Sequence, residues 1–420
     1  MSIRQAFTGI CVGAIIVLAA NAMAAGTLPV GPAAGDMQLS PFYRWPDAMP
    51  AQPGVLLRSE AMSVQPDMPA ASQALRLLYS SIDQCWQSGL VPVSGALYLP
   101  AGNPPAGGWP LLAWAHGTLG IADACAPSWA GLRERDAAYI NRWLARGFAV
   151  VVSDYQGLGG PGPHPYTFWQ AEGRSVLDSI RAAHAIKPGL IANRVVLAGQ
   201  SQGGGAALGA AVLAGTYAPE LPILGAVLTA PNSTFPEGPI KLPPRQSNTV
   251  FLALASGALR EDGPPIEVIL TAKGLELLSV ARQGCTRDIG QKSKALQIGS
   301  FAELFTITPE ALNAARIPTT DMPQASIAIP LFIATGQADH TITPERQYAV
   351  AAALCAAGNP VTWRTYEGLG HDGVLHGSLD DVFAFVDAWF DGQNHASNCS
   401  SLQKPGAPGE RDVAAPFNDD

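Results

Sequence analysis

The sequence predicts an α/β fold: a doubly wound, mostly parallel sheet interrupted once by a helical insertion. Three observations predict it. From about residue 90, short apolar runs of strand character alternate with segments of helical periodicity, the pattern of a sheet covered on both faces. Between residues 232 and 323 the alternation stops and apolar helical segments (250–259, 266–281) take over, after which strands resume. The composition, 48% apolar and 14% charged with 44 Gly and 36 Pro, is that of a globular, loop-rich chain.

The elements follow in order. Residues 1–24 read as a secretory signal: Arg4, an apolar stretch at 10–20 (ICVGAIIVLAA), and a cleavage site after Ala24 in Ala22-Met23-Ala24. No other run of 18 apolar residues occurs, so the mature chain is expected to lack a transmembrane segment and to work outside the cell or in a periplasm. Residues 25–89 are expected to form an N-terminal arm, irregular over the Pro- and Met-rich stretch 25–75. The core is expected at 90–231 and 324–399. Its strands are VSGALYLP (93–100), PLLAWA (110–115), FAVVVS (148–153), 194–198, LGAVLT (224–229), IAIPLFIA (327–334) and VTWRTY (361–366). Helices are expected at 133–146, 169–186, 203–214, 344–357 with Thr343 as N-cap, and 378–391 with Ser378 as cap and Asp381 three residues on. The insertion is 232–323. The tail, 400–420, is expected to be mobile.

Chemistry in such a sheet sits at the carboxyl ends of its strands. Gly199-Gln200-Ser201-Gln202-Gly203 fits G-x-S-x-G, a cheap match in a glycine-rich chain. Its setting is what raises it: a strand leads in, a small-residue helix leads out, and no Lys-Ser/Thr follows to make a phosphate loop. A serine needs a base, and the base needs an orienting acid. In the order Ser, acid, His, these fall on Ser201, Asp339 after IPLFIA and His371 after VTWRTY, all at strand ends. Asp372 and Glu367 are rival acids; His376 is the chief rival base, ahead of His340 and His395. For an oxyanion hole, the backbone N–H groups of Gln202 and of Thr118, in the loop after PLLAWA, are the candidates. His116 is expected to pack or hydrogen-bond locally, and Asp154 to be structural. No H-E-x-x-H or carboxylate–histidine cluster suggests a metal, and no cofactor is implied. A net charge of −8 without a Lys/Arg cluster argues against nucleic acid as a partner.

HGTLGIADACAPS (116–128), SDYQGLGGPGPHPY (153–166), AEGRSVLDSIRAA (171–183), GQSQGGGAA (199–207), TGQAD (335–339) and GLGHDG (368–373) together resemble the secretory lipase family. The resemblance spans roughly residues 90–395. It implies an α/β-hydrolase with a helical lid formed by 232–323, cleaving carboxylic esters, with Ser201, Asp339 and His371 as its triad. The substrate would be a lipid or other apolar ester, met in solution or at a lipid–water interface. Five cysteines follow the signal, suiting two bridges and one thiol in an oxidising compartment. The resemblance further implies the pairs Cys125–Cys285 and Cys355–Cys399, leaving Cys85 free. Two other readings share this frame: an acyltransferase on the same triad, and a non-catalytic binding protein.

Overall fold

The computed structural model describes residues 37, 39–84, 87, 89–234, 251–252, 255, 266–314, 321–393 and 397–418. Nine strands make one mixed sheet in the order β1-β2-β3-β5-β4-β6-β7-β8-β9. They are β1 Leu56–Met62, β2 Ala71–Ile82, β3 Leu90–Pro100, β4 Trp109–Ala115, β5 Ala149–Ser153, β6 Ile191–Gln200, β7 Ile223–Thr229, β8 Leu331–Gly336 and β9 Val361–Tyr366. β1, β2, β3 and β5 pair antiparallel; from β5 through β4 to β9 the pairing is parallel.

Parallel strands joined by helices are buried on both faces, and they read as apolar runs for that reason. All five residues of β5 and all six of β8 are buried. Successive side chains point to opposite faces, so each inner strand feeds two cores. Leu111, Ala113, Val195 and Leu197 pack with α3 (Trp169–Ala185) and α4 (Gln202–Tyr217), through Val176, Leu177, Ile180 and Leu208. Leu112, Trp114, Val196 and Ala198 pack on the other side. There they meet Tyr139, Ile140 and Trp143 of α2 (Glu134–Ala145), and Phe385 and Trp389 of the helix Leu379–Phe390. A short helix α1 (Pro127–Ala130) precedes α2.

Three expectations are corrected. The stretch 25–75 is not irregular throughout, because β1 and the start of β2 lie within it, and these two strands extend the sheet antiparallel before residue 90. β2 (ASQALRLLYSSI) alternates as a strand should: Leu77 and Tyr79 join one core, while Leu78 packs with Phe42 and Tyr43 on the other face. Tyr79 also hydrogen-bonds Ser153 Oγ at 2.7 Å and donates to Ser175 O at 3.0 Å. The tail is not loose either. Residues 402–418 pack against the loops after β8 and β9, with Gly409 N donating to Gln337 O (2.9 Å) and Asp412 N to Gly368 O (2.8 Å). Third, Thr343 and Ser378 stand at helix N-termini without donating or accepting a side-chain cap bond. Ser378 is instead in helical backbone, because a short helix, Gly373–Gly377, runs straight into the next one.

The described part of the insertion is helical, and its 266–281 segment is two helices, Ile266–Ile269 and Ala272–Ala281. Leu270 bridges to Phe305, and Thr271 caps the second helix by accepting from Gly274 N at 3.1 Å. Leu277, Leu278, Leu304 and Phe251 form their own apolar cluster with Ile121 and Tyr166, which come from core loops. Cys125–Cys285 joins the insertion to the loop after β4, and Cys355–Cys399 closes the helix Pro344–Ala356 onto the segment after residue 397. Cys85, residues 1–24 and residues 235–250 lie outside the described residues. Among those described, no helix is long and apolar enough to cross a membrane.

Leu77→Ala tests whether the stretch before residue 90 belongs to the core. Leu77 is fully buried, so the substitution is expected to cost about 2–5 kcal/mol in urea unfolding. A strand merely draped on the surface would give a change within about 0.5 kcal/mol.

Candidate active site

Ser201 occupies the turn between β6 and α4, with φ 61° and ψ −121°. For a residue with a side chain that backbone is costly, of the order of 1–3 kcal/mol, and it persists only where the surroundings impose it. Here they do. Ser201 N donates to Thr229 O (3.0 Å), and Ser201 O accepts from Asn232 N (3.0 Å) and Gly205 N (3.2 Å). The turn is closed by two glycines. A Cβ on Gly199 would stand 2.0 Å from Gly203 O, and one on Gly203 would stand 1.9 Å from Ala115 O. Ser201 holds the N-cap position of α4, yet its hydroxyl makes no cap bond.

The hydroxyl is turned elsewhere. His371 Nε2 lies 2.8 Å from Ser201 Oγ, and His371 Nδ1 lies 2.8 Å from Asp339 Oδ2. Asp339 is fully buried and accepts three further bonds of 2.8 Å, from Thr341 N and Ile342 N on Oδ1 and from Gln347 Nε2 on Oδ2. A carboxylate can only accept here, so Nδ1 of His371 carries the proton and Nε2 is left to accept from Ser201. The other candidates go to different tasks. Asp372 pairs with Arg135, and His376 Nε2 donates to Arg135 O (3.1 Å) and stacks on Phe417. His340 sits against Gly409 O, and His395 lies outside the described residues.

Ser201 and His371 open into a cleft of about 270 Å³, also lined by Thr118, Tyr166, Leu252, Ile289 and Ile342, with Arg133, Arg135 and Arg346 on its wall. The N–H of Gln202 belongs to the first turn of α4, where backbone donors have no intrahelical acceptor. Thr118 lines the same cleft as Ser201, held by a 2.8 Å bond between its Oγ1 and Tyr166 OH. His116 is fully buried against Tyr155, its Nδ1 on Gly117 O at 2.8 Å, and burial pushes its pKa down to about 4. Asp154 accepts from Ser94 Oγ (2.6 Å), Ser128 N (2.9 Å) and Ser128 Oγ, tying α1 to the sheet. Among the described residues no group of three or more His, Cys, Asp or Glu is placed to hold a metal ion.

Two polar networks behind the site escape sequence reasoning. Arg135, on α2, donates to Gln200 Oε1 (3.1 Å) and pairs with Asp136 and Asp372; Gln200 Nε2 in turn donates to His371 O (3.0 Å). Burial raises the Asp136 carboxyl, but Arg135 and Arg133 outweigh it and bring the pKa down to about 2. In the sequence Arg135 is one charge in a helix, and nothing marks it. The second network centres on Gln202. Its Nε2 donates to Glu172 Oε1 (2.7 Å) and to His164 Nε2 (2.9 Å). His164 Nδ1 faces Gln156 O at 2.9 Å, which fixes the proton on Nδ1 and leaves Nε2 to accept. The motifs 153–166 and 171–183 contain His164 and Glu172 but do not say that they meet.

The strand order, the helices on both faces and the helical insertion define an α/β-hydrolase fold. The secretory lipase family model matches residues 131–398, and the chain belongs to that family. It is 29% identical over 349 residues to a probable inactive lipase of Mycobacterium tuberculosis, covering 77% of this chain and 75% of that protein. A secreted triacylglycerol lipase of Malassezia furfur is 27% identical over 283 residues, which are 63% of this chain and 56% of that one. Among solved structures, Candida antarctica lipase A in its closed state superposes with a TM-score of 0.66 at 22% identity, covering 88% and 89% of the two chains. The rice cell wall degrading esterase LipA from Xanthomonas oryzae gives 0.59 at 16% identity, over 81% and 99%. At these identities the superpositions speak for the fold alone.

Burial raises the pKa of Glu172 to about 8, against the bonds from Gln202 and Thr167 that lower it, and burial depresses that of His164 to about 3. Both are therefore mostly neutral at pH 7. The folded state binds the Glu172 proton more tightly than the unfolded chain, so its contribution is whole below about pH 4.5 and is lost as pH rises towards 8. Glu172→Gln keeps the acceptor and removes the titration. Urea unfolding should find the variant gaining on the wild type from pH 5 to pH 8; a difference constant with pH would contradict a protonated Glu172.

Proposed function

We propose that this chain is a secreted serine hydrolase of carboxylic esters, acting on apolar acyl groups. One observation carries the reading: His371 stands 2.8 Å from both Ser201 Oγ and Asp339 Oδ2. Ser201 Oγ attacks the ester carbonyl while His371 Nε2 takes its proton, and Asp339 holds the ring and stabilises its cation. The carbonyl oxygen becomes an oxyanion, met by the N–H groups of Gln202 and Thr118. His371 then gives the proton to the departing alkoxide, leaving an acyl group on Ser201. Water then attacks the acyl carbon, losing a proton to His371; the bond to Ser201 Oγ breaks, Oγ takes that proton back from His371, and the carboxylic acid leaves. The apolar cleft residues Leu252, Ile289 and Ile342 support an apolar acyl group, and family membership supports an ester. Family membership, secreted relatives and two disulfides support export, and the first 24 residues support a cleaved signal.

The similarity to a probable inactive lipase gives a second reading, a hydrolase-like protein without turnover. Purified protein assayed on p-nitrophenyl esters from acetate to palmitate decides between them. The hydrolase reading expects turnover without added metal or cofactor, and a loss of at least about 10³-fold in kcat for Ser201→Ala. No turnover on any ester would leave the second reading standing. Export predicts Ala25 as the first residue of the mature protein, read by mass spectrometry of its N-terminal peptide. An N-terminus at Met1 would exclude cleavage.

A further inference from the structure

The segment 402–418 lies across both loops that carry the proposed acid and base. Gly409 N donates to Gln337 O, two residues before Asp339, and His340 Nε2 reaches Gly409 O at 3.3 Å. On the other loop Asp412 N donates to Gly368 O (2.8 Å), and Phe417 stacks on His376 with ring centres 4.5 Å apart. The closest attachment is made by one side chain. Asn418, only 4% exposed, accepts from Gly370 N at 2.6 Å through Oδ1 and donates from Nδ2 to Gly368 O (2.9 Å) and Asp412 O (2.6 Å). Three of the four hydrogen bonds an asparagine amide can make are used. The pocket for it depends on Gly373, where a Cβ would come 2.2 Å from Asn418 Oδ1.

Gly370 is the residue before His371. The loop from 368 to 372 is also held at Leu369 O by Ala338 N (2.9 Å), at the His371 carbonyl by Gln200 and at Asp372 by Arg135. Those bonds come from the acid loop, the strand before the nucleophile and α2, and none of them reaches the Gly370 N–H. Asn418 fixes residues 368 and 370 from the C-terminal segment. We infer that Asn418 is a positioning residue for the reaction: by gripping Gly368 and Gly370 it holds the His371 imidazole in line between Ser201 and Asp339. It touches no substrate, so its effect should fall on the chemical step and not on substrate binding.

The inference rests on the hydrolase reading, and its test has one arm that does not use turnover. In Asn418→Ala, kcat on p-nitrophenyl butyrate should fall about 10- to 100-fold, the scale of a displacement near 1 Å at a reacting centre. KM should stay within about 3-fold, because ground-state binding is untouched. The low-field proton NMR signal of the His371–Asp339 hydrogen bond, identified by its loss in His371→Ala, should broaden or exchange faster. Val413→Ala, a change at a residue 91% exposed in the same segment, should leave rate and signal at the wild-type level. A folded Asn418→Ala protein with wild-type kcat and an unchanged signal would overturn the inference. So would a rate lost equally in Val413→Ala, which would make the segment a general support. If Asn418→Ala does not fold, Asn418→Asp keeps the volume and the acceptor for Gly370 but loses both donors. It should lose kcat at constant KM, and wild-type kcat in it would equally overturn the inference. A wild-type protein that turns over no ester would sink the hydrolase reading, while the NMR arm would still decide whether Asn418 holds His371.

Discussion

The site hangs on one close approach of backbone to backbone. The first turn of α4 is pressed against the end of β4, so near that a Cβ on Gly203 would overlap Ala115 O and one on Gly199 would overlap Gly203 O. Removing two side chains is what permits the contact, and the contact is what compels Ser201 into φ 61°. From that follows the rest of the local geometry. The Ser201 hydroxyl is lifted off the helix axis towards His371, and the Gln202 N–H is left at the helix N-terminus. The loop after β4, with Thr118, is brought to the same cleft. Gly204 extends the approach to the end of β7 and the loop after it, since a Cβ there would stand 3.0 Å from Thr229 O and 2.8 Å from Pro231 Cα.

Around this turn, charge and neutrality are divided by place. On the His371 side the supports are ionic: Arg135 between Asp136 and Asp372, buried yet compensated, with Gln200 passing its hold on to the His371 carbonyl. On the Gln202 side they are neutral: Glu172 keeps its proton and His164 lacks its second one. The division makes physical sense. A buried ionic cluster beside the imidazole is affordable because each charge has a partner within reach. A lone carboxylate behind Gln202 would sit at the rear of the proposed oxyanion hole and oppose the negative charge forming there, so a protonated Glu172 is the form compatible with the chemistry.

The inner strands were legible because burial on both faces leaves an apolar run with a polar residue at its end, as in PLLAWA-His116 and in the strand leading to Asp339. Ser201, Asp339 and His371 were legible for a related reason: each follows such a strand, and their order is constrained. β1 was hidden because an edge strand needs only one apolar face, and β2 because only its second half, from Leu77 on, is continuously buried. Arg58 and Glu60 in β1 and Arg76 in β2 broke the run, while nearby prolines and methionines dominated the composition. The docking of 402–418 was hidden for another reason. Its bonds to Gly368, Gly370 and Gln337 are between residues far apart in sequence, and a Gly/Pro-rich tail that packs has the same composition as one that does not. Arg135 was invisible in the same way, as a long-range ion pair leaves no periodic trace.

The resemblance to a probable inactive lipase has to be weighed on the same physical scale. At 29% identity two chains share a fold, while activity depends on a few atoms held to within fractions of an ångström. Loss of activity in one member needs only one broken link: a missing hydroxyl, an imidazole without its carboxylate, or a loop released from its support. None of those breaks is present here. The hydroxyl, the imidazole and the carboxylate are in hydrogen-bonded sequence at 2.8 Å, and Asp339 has all its remaining acceptors used. A chain that kept the fold but had no use for the reaction would be under no constraint to keep a strained serine, two glycines that admit no side chain and a buried carboxylate aimed at a histidine. Each of those features costs stability, and the proposed reaction gives all of them a single reason.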